Sequence, residues 1–422
     1  MAAAATSAVA LTSCGLTTRM APRRVLSPND RLNLAVIGPR GRGANNARAI
    51  AHENIVAICD IDETRLAEAA AEHPQAKKFK DFRHLLDLQE LDAILISTPD
   101  HMHAIPAVRA MEAGLDIYCE KPLAHSVHEV RVMRETAKRH GCVTQMGTQI
   151  HANDNYRRCV EIVQSGMLGP VRRVLTWRGW QLRSKHRASA DSKPPAHIDY
   201  DLWLGPAPYR PFHVESFHFD WRYWWDFGNG ELGDFGCHFM DLPHWALDLR
   251  EVTSVEAKGE VTHDGDNKVP DNMQVEFRYP ARGELPPVHL TWYHGKWRPE
   301  EAAGLPHMDN AILFEGEKGR LLADYGTRRI FMADGDGEPV APPETIPPSA
   351  GHHQEWLDAI RTRGTTTCNF DYSGALAETV LLGNVAYRTG KRLKWDNDAL
   401  RATNAPEAAQ YVQREYRKGW SL

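Results

Sequence analysis

The stretch Leu34-Ala35-Val36-Ile37-Gly38-Pro39-Arg40-Gly41-Arg42-Gly43, read on to Ile55-Val56-Ala57-Ile58-Cys59-Asp60, decides the fold. A short apolar run breaks into glycines. A helix is predicted from Ala44 to His52, and a second apolar run, Ile55 to Cys59, ends in an acid. Strand, tight turn, helix, strand and carboxylate follow in the order a dinucleotide-binding Rossmann unit needs, with the acid about 20 residues beyond the first glycine. Glycines let the backbone approach a pyrophosphate, and a helix N-terminus faces its charge. Asp60, at the end of the second strand, can accept hydrogen bonds from a ribose diol.

The glycine pattern departs from Gly-x-Gly-x-x-Gly. It reads Gly38-x-Arg40-x-x-Gly43, with an extra glycine at Gly41. Arg40 carries a Cβ where close approach matters. Arg40 and Arg42 flank Gly41 and are placed to add charge-assisted bonds to phosphates. Asp60 favours NAD, because a carboxylate repels the 2′-phosphate of NADP. Arg40, Arg42 and Arg65 pull towards NADP, so both cofactors stay open, with NAD preferred.

Strand-like and helical segments continue to alternate as far as Gly147, which predicts a parallel sheet covered on both faces. Near residue 150 the pattern changes. Alternating segments such as Val171 to Trp177, Val252 to Val261, Asn272 to Tyr279 and Val288 to Tyr293 are separated by turn residues, as in a large antiparallel sheet. A helix is expected over Asp234 to Leu249, with further helices from His353 to Arg361 and Leu376 to Tyr387. The fold class is therefore α/β: a Rossmann domain over residues 31–150, then an α/β domain with a large, open, mostly antiparallel sheet over 151–422.

The chain has 422 residues, 42% hydrophobic and 25% charged, with a formal net charge of −5. These values suit a globular protein and argue against a nucleic-acid partner, which calls for a basic surplus. No apolar run reaches the ~18 residues of a membrane helix. Seven cysteines show no Cys-x-x-Cys pair and read as free thiols, not a disulfide framework. Several tryptophans cluster, namely Trp177, Trp180, Trp203, Trp221, Trp224 and Trp225. They suit both core packing and stacking on sugar faces.

Residues 1–30 read as an export-signal remnant and linker. Ala2 to Ala10 is small and apolar, and Leu11-Thr12-Ser13-Cys14 resembles a lipoprotein box. The expected location is the bacterial periplasm, or a membrane lipid-anchored at Cys14; a cytoplasmic protein with an unstructured leader is the alternative. Outside the cytoplasm a freely exchanging nicotinamide would be lost, so tight cofactor binding is expected.

Three later motifs occur in order: Thr98-Pro99-Asp100-His101-Met102-His103, Glu120-Lys121-Pro122 at a strand end, and Gly230-Glu231-Leu232-Gly233-Asp234-Phe235-Gly236-Cys237-His238-Phe239-Met240-Asp241. With the dinucleotide unit before them, the chain resembles the Gfo/Idh/MocA oxidoreductases, the family of glucose–fructose oxidoreductase and inositol dehydrogenase. The resemblance runs from about residue 31 to Asp396. It implies hydride transfer between nicotinamide and a hydroxyl carbon of a sugar, cyclitol or glycoside. Some members instead cleave glycosides by transient oxidation, elimination, hydration and re-reduction, and this is the alternative activity.

By the same resemblance Lys121 stands beside nicotinamide and substrate, and Asp234 and His238 match an Asp-x-x-x-His pair. Four residues apart, the two share a helix face. A histidine suits a proton acceptor near neutral pH, and a carboxylate can orient it. Thr98, Pro99, His103 and Glu120 are expected on the cofactor side, together with Gly38, Arg40, Gly41, Arg42, Gly43 and Asp60. Tyr156, Arg157, Trp221 and Arg222 are expected to border the substrate. Asp234, His238 and Asp241 on one face, near Cys237 and His244, raise a metal alternative; none is expected. A carbohydrate substrate and a homo-oligomer, dimer or tetramer, complete the expectations.

Overall fold

The computed structural model describes residues 27, 30–179, 192–214, 217–333 and 340–422. The export-signal reading, Cys14 and Trp180 lie outside the described residues.

Six parallel strands form the first sheet: β1 Asn33–Ile37, β2 Asn54–Cys59, β3 Lys77–Phe79, β4 Ala93–Ile96, β5 Asp116–Cys119 and β6 Thr144–Met146. Their order is β3-β2-β1-β4-β5-β6, with every pairing parallel. The strand order reverses between β1 and β4. This is the doubly wound topology, and ligands bind at its switch point, beyond the carboxyl ends of the strands. The central strands β4 and β5 are buried along their whole length, as sheets covered on both faces require.

One of those covers comes from far along the chain. The helix His352–Thr362 sets Trp356, Leu357 and Ile360 against Leu34, Val36, Tyr118 and Val143. Its mooring is ionic as well. Arg361 pairs with the buried Glu53, and Arg363 reaches Asp116 at 2.5 Å.

The second sheet has nine strands: β7 Val171–Arg178, β8 Ser254–Glu260, β9 Asn272–Tyr279, β10 Val288–His294, β11 Asn310–Gly316, β12 Gly319–Ala323, β13 Arg328–Met332, β14 Leu393–Asp396 and β15 Arg401–Ala402. They run in the order β13-β12-β11-β7-β10-β9-β8-β14-β15. The β7–β10 pair is parallel and the other pairs are antiparallel. The helices Gly230–Phe239 and Phe370–Thr389 share one core with this sheet, Leu232, Val380 and Leu376 packing with Val275 and Phe277. Other side chains on these strands pair charges, as in Arg173 with Glu315.

The helix expected over Asp234–Leu249 is two helices, Gly230–Phe239 and Asp241–Ala246, with Met240 between them. It also starts four residues earlier than expected. Gly230 enters with φ +63°, a left-handed turn that glycine adopts without strain. Asp234 therefore sits inside the helix and does not cap it. Cys59, Cys119, Cys142, Cys159, Cys237 and Cys368 are free thiols, all but Cys142 buried.

Candidate active site

A cavity of about 550 Å³ runs along the carboxyl ends of β1, β2, β4 and β5. Its floor is the β1 turn. Gly38 has φ +76°, and a Cβ there would lie 2.7 Å from the Ser97 carbonyl oxygen. A Cβ on Gly43 would overlap the Gly38 carbonyl. Gly43 is thus the glycine that lets the helix Arg42–Ala49 pack on β1, and it does not itself line the cavity. Gly41, at φ +59°, precedes that helix. No side chain caps it and no acid stands in its first turn, so this end is open to an anion.

The two arginines beside Gly41 diverge. Arg40 turns towards the helix Glu63–Glu72 and pairs with Glu68 at 2.9 Å and Glu72 at 2.6 Å. The expectation that it bonds phosphates is corrected: its guanidinium is occupied, although the residue still borders the cavity. Arg42 points to Glu120, with Nε at 3.2 Å.

Glu120 is buried, and its Oε1 also accepts from Asn46 at 2.8 Å and Gln149 at 2.9 Å. Gly147 lies flat on this carboxyl, where a Cβ would meet Cδ at 2.6 Å. Thr98 and Pro99 line the cavity above it. His103 does not. Its ring nitrogens lie against carbonyls, Nδ1 2.9 Å from Pro122 and Nε2 2.8 Å from Thr98, and the neutral ring donates to one of them. It pins the two loops that carry Thr98 and Lys121, which corrects its place on the cofactor side.

Asp60 closes β2 at the far end, accepting the Asp62 amide at 3.0 Å. Burial pushes its carboxyl up to about 6, against the pull of that amide and of Arg65. Asp62 caps the next helix through the amides of Thr64 and Arg65.

At the opposite end stand Lys121, Asp234 and His238. The Lys121 ammonium donates to the Asp234 backbone carbonyl at 2.7 Å and pairs with its carboxylate. Arg222 Nε lies 3.4 Å from the same carboxylate. Burial pushes the Asp234 acid up, but Lys121 and Arg222 outweigh it and hold the carboxyl well below its ordinary range. His238 is pushed well below its ordinary value by burial and then by Lys121, so its ring is neutral at neutral pH. Its Nδ1 is buried without a partner. His238 borders both the main cavity and a second, open one lined by Gln149, Asn153, Tyr325 and His352. Lys121 lines the main cavity, and His238 lines both.

Trp221 and Arg222 line the main cavity. Tyr156 and Arg157 do not, and their substrate-binding assignment is corrected. The Tyr156 ring is fully buried and its hydroxyl donates to the His238 carbonyl at 3.1 Å. Arg157 donates to the Pro347 carbonyl and to Glu355 at 3.0 Å. Both sit on the inward side of the helix Asp154–Gln164, whose apolar pattern already marked that side as core.

The metal alternative dissolves in the same way. Asp241 takes His151 at 2.9 Å and the Tyr372 hydroxyl at 2.7 Å, and His244 Nδ1 lies 2.7 Å from the Met240 carbonyl. Asp100 was missed. It is buried, accepts Asn229 at 3.1 Å and is pushed up to about 7 by burial. Asn384 donates to the Asn229 carbonyl at 2.9 Å, so these three fix the start of the His238 helix. Nothing in the spacing of three residues this far apart could have joined them.

A doubly wound sheet with an open helix N-terminus, an acid closing its second strand and a lysine–aspartate–histidine cluster across the cleft defines a two-domain dinucleotide-binding protein. Residues 32–148 match the model of the oxidoreductase family with an NAD-binding Rossmann fold, and residues 152–285 match its C-terminal alpha/beta domain. The chain belongs to the Gfo/Idh/MocA family. It is 31% identical to inositol 2-dehydrogenase 2 of Saccharopolyspora erythraea over 179 residues, which are 41% of this chain and 50% of the relative. Matches to the first curated relatives span from 36% to 52% of their length. The crystal structure of the WlbA dehydrogenase from Bordetella pertussis, in complex with NADH and UDP-GlcNAcA, superposes with a TM-score of 0.65 at 18% identity, over 87% of this chain and 98% of that one. Aldose–aldose oxidoreductase from Caulobacter crescentus gives 0.62 at 19%, over 86% and 99%.

Proposed function

We propose that this chain is an NAD-dependent oxidoreductase acting on a hydroxyl carbon of a sugar, cyclitol or glycoside. The observation that carries this reading is the Lys121–Asp234–His238 cluster, set against the cofactor cleft at the mouth of a second cavity. NAD, when bound, supplies the hydride acceptor. The chain supplies the rest. The open helix end at Gly41 receives the pyrophosphate, and Asp60 accepts from the ribose diol. Neutral His238, which lines the cavity, takes the hydroxyl proton. Lys121 donates to the substrate oxygen, and Asp234 holds the ammonium in place. Relatives named as inositol and levoglucosan dehydrogenases support the polyhydroxylated substrate class.

The second reading is glycoside cleavage through transient oxidation, elimination, hydration and re-reduction, which would use the same Lys121, Asp234 and His238. The test is to supply NAD with a panel of sugars, cyclitols and aryl glycosides. Growing absorbance of reduced cofactor supports the dehydrogenase. Free sugar released without net reduction supports the glycosidase. Neither outcome on any substrate, with NAD bound, would overturn both readings.

A further inference from the structure

A third cavity, of about 210 Å³, shares no lining residue with the two that His238 borders. Its walls come from four parts of the chain, within residues 125–127, 208–229, 381–388 and 410–415. These parts are fastened to one another and to the Rossmann unit, so the space is preformed. His125 Nε2 donates to the Trp225 carbonyl at 2.9 Å, and Asn384 to the Asn229 carbonyl. Arg414 donates to the His101 carbonyl at 2.7 Å and to Glu129 at 2.6 Å. Asp226 takes Arg210, also at 2.6 Å.

One cation of the lining is left over. Arg414 is paired with Glu129, but among the described residues no carboxylate pairs with Arg388 and no acceptor takes its N–H groups. Its guanidinium lies over the Tyr411 ring at 4.2 Å and the Trp225 ring at 5.1 Å, and the side chain still reaches solvent. Contact with ring faces steadies a guanidinium without using its donors. A carboxylate matches that planar group with two parallel hydrogen bonds. Asp226 and Glu415 also border the cavity, so a single negative charge suits it, whereas a dianion meets added repulsion. Val127, Leu381 and Val385 contribute apolar surface, and Ser126 and Gln410 contribute polar groups. The space is smaller than pockets for drug-sized ligands, which start at roughly 300 Å³.

We infer that this cavity is a binding site for a small hydroxylated monocarboxylate, no larger than a sugar acid, held by Arg388. With no wall shared with the main cavity, the bound acid does not meet Lys121 or His238. It sits against Asn229, at the start of the His238 helix, and against His125, four residues beyond Lys121.

The test is calorimetry on the full chain saturated with NAD, titrated with glycerate, gluconate and glucuronate, and with glucose as the uncharged control. At least one acid should bind with a Kd of about 1 mM or tighter, and at least about tenfold better than glucose. Arg388→Gln should weaken that acid at least about tenfold, the weight of a hydrogen bond to a charged group. Lys121→Met should leave it unchanged. Thermal melts check that Arg388→Gln folds. Should it not, a crystal of the parent grown with the acid must show the carboxylate on Arg388. No binding by any of the three acids, binding untouched in folded Arg388→Gln, or density elsewhere would overturn the site. Binding lost in Lys121→Met would place the acid in the main cavity and overturn it as well. The cofactor reading stands in each of these cases, and fails only if the chain takes up no NAD at the start.

Discussion

Asp60 is pushed up to about 6 by burial, so the folded chain binds its proton more tightly than the unfolded one. The charged form weighs against folding above that pH, and the cost fades as pH falls through about 6 towards the ordinary carboxylate value. For cofactor binding the sign is opposite. Ribose hydroxyls donate to the charged form, so affinity should be full above about pH 6 and decline below it. Calorimetry on protein stripped of dinucleotide should show this decline. Asp60→Asn should bind weakly at about pH 8 and lose the pH dependence; an Asn variant matching the parent there removes Asp60 from the ribose. Lys121 and His238 make the second residue-scale case. Lys121→Met or His238→Ala should lower turnover by about 10²-fold or more, the usual weight of a proton-transfer group, with NAD still bound by the same calorimetric measure. Because burial and Lys121 hold His238 neutral, turnover at saturating cofactor should show no acid limb near the ordinary histidine value. A limb there that vanishes in the Ala variant would contradict the depressed value.

At the scale of elements, the β1 turn shows which glycine matters for what. The residue at the place of the missing central glycine, Arg40, is tolerated because its side chain leaves towards Glu68 and Glu72. Gly43 has no such exit, since any Cβ collides with the Gly38 carbonyl. Gly43→Ala should therefore push the helix Arg42–Ala49 off β1 and cost about 1–3 kcal/mol, the usual range for overpacking. Arg40→Gly should cost far less. Thermal melts of the two variants side by side test this, and equal losses would show that the turn reads both positions alike. The helix Gly230–Phe239 repeats the lesson. Its sequence marks Asp234 and His238 as one face, but its placement is owed to distant groups. The Tyr156 hydroxyl holds the His238 carbonyl, and Asp100 holds Asn229 at the helix start.

At the scale of the molecule, the two sheets are joined by helices. Glu378, on the helix Phe370–Thr389, receives Arg131 and Arg134 from the Rossmann helix Val127–His140, both at 3.0 Å. Glu378→Ala leaves two largely buried guanidinium groups facing each other. The expected loss is about 1–3 kcal/mol, less than a fully buried pair because both arginines keep some solvent contact. Glu378→Gln should recover part of it through hydrogen bonding. Denaturant unfolding measures both, and an Ala variant as stable as the parent would place the domain contact in the apolar packing alone.

What could be read along the chain was whatever repeats locally. The βα turn, the acid closing β2, the alternation of strands with helices and the Asp-x-x-x-His spacing all depend on neighbours within a few residues or one supersecondary unit. They brought the dinucleotide fold, the mostly antiparallel second sheet and the Lys121, Asp234 and His238 cluster within reach. Side-chain direction could not be read this way. Tyr156 and Arg157 have polar ends suited to a sugar, yet their helix turns them into the core, where burial obliges their donors to find partners in His238 and Glu355. The His103 ring is wedged between two carbonyls that only the folded loops bring together. The helix His352–Thr362 covers a sheet whose strands end more than 200 residues earlier, because the apolar face of β1, β4 and β5 must be buried by whatever element packing delivers. The aromatic cluster of Trp203, Phe217 and Trp221 is of the same kind. Its residues are plain in composition, but only the tertiary contacts at Ile61, His101 and Arg417 bring them to line the main cavity.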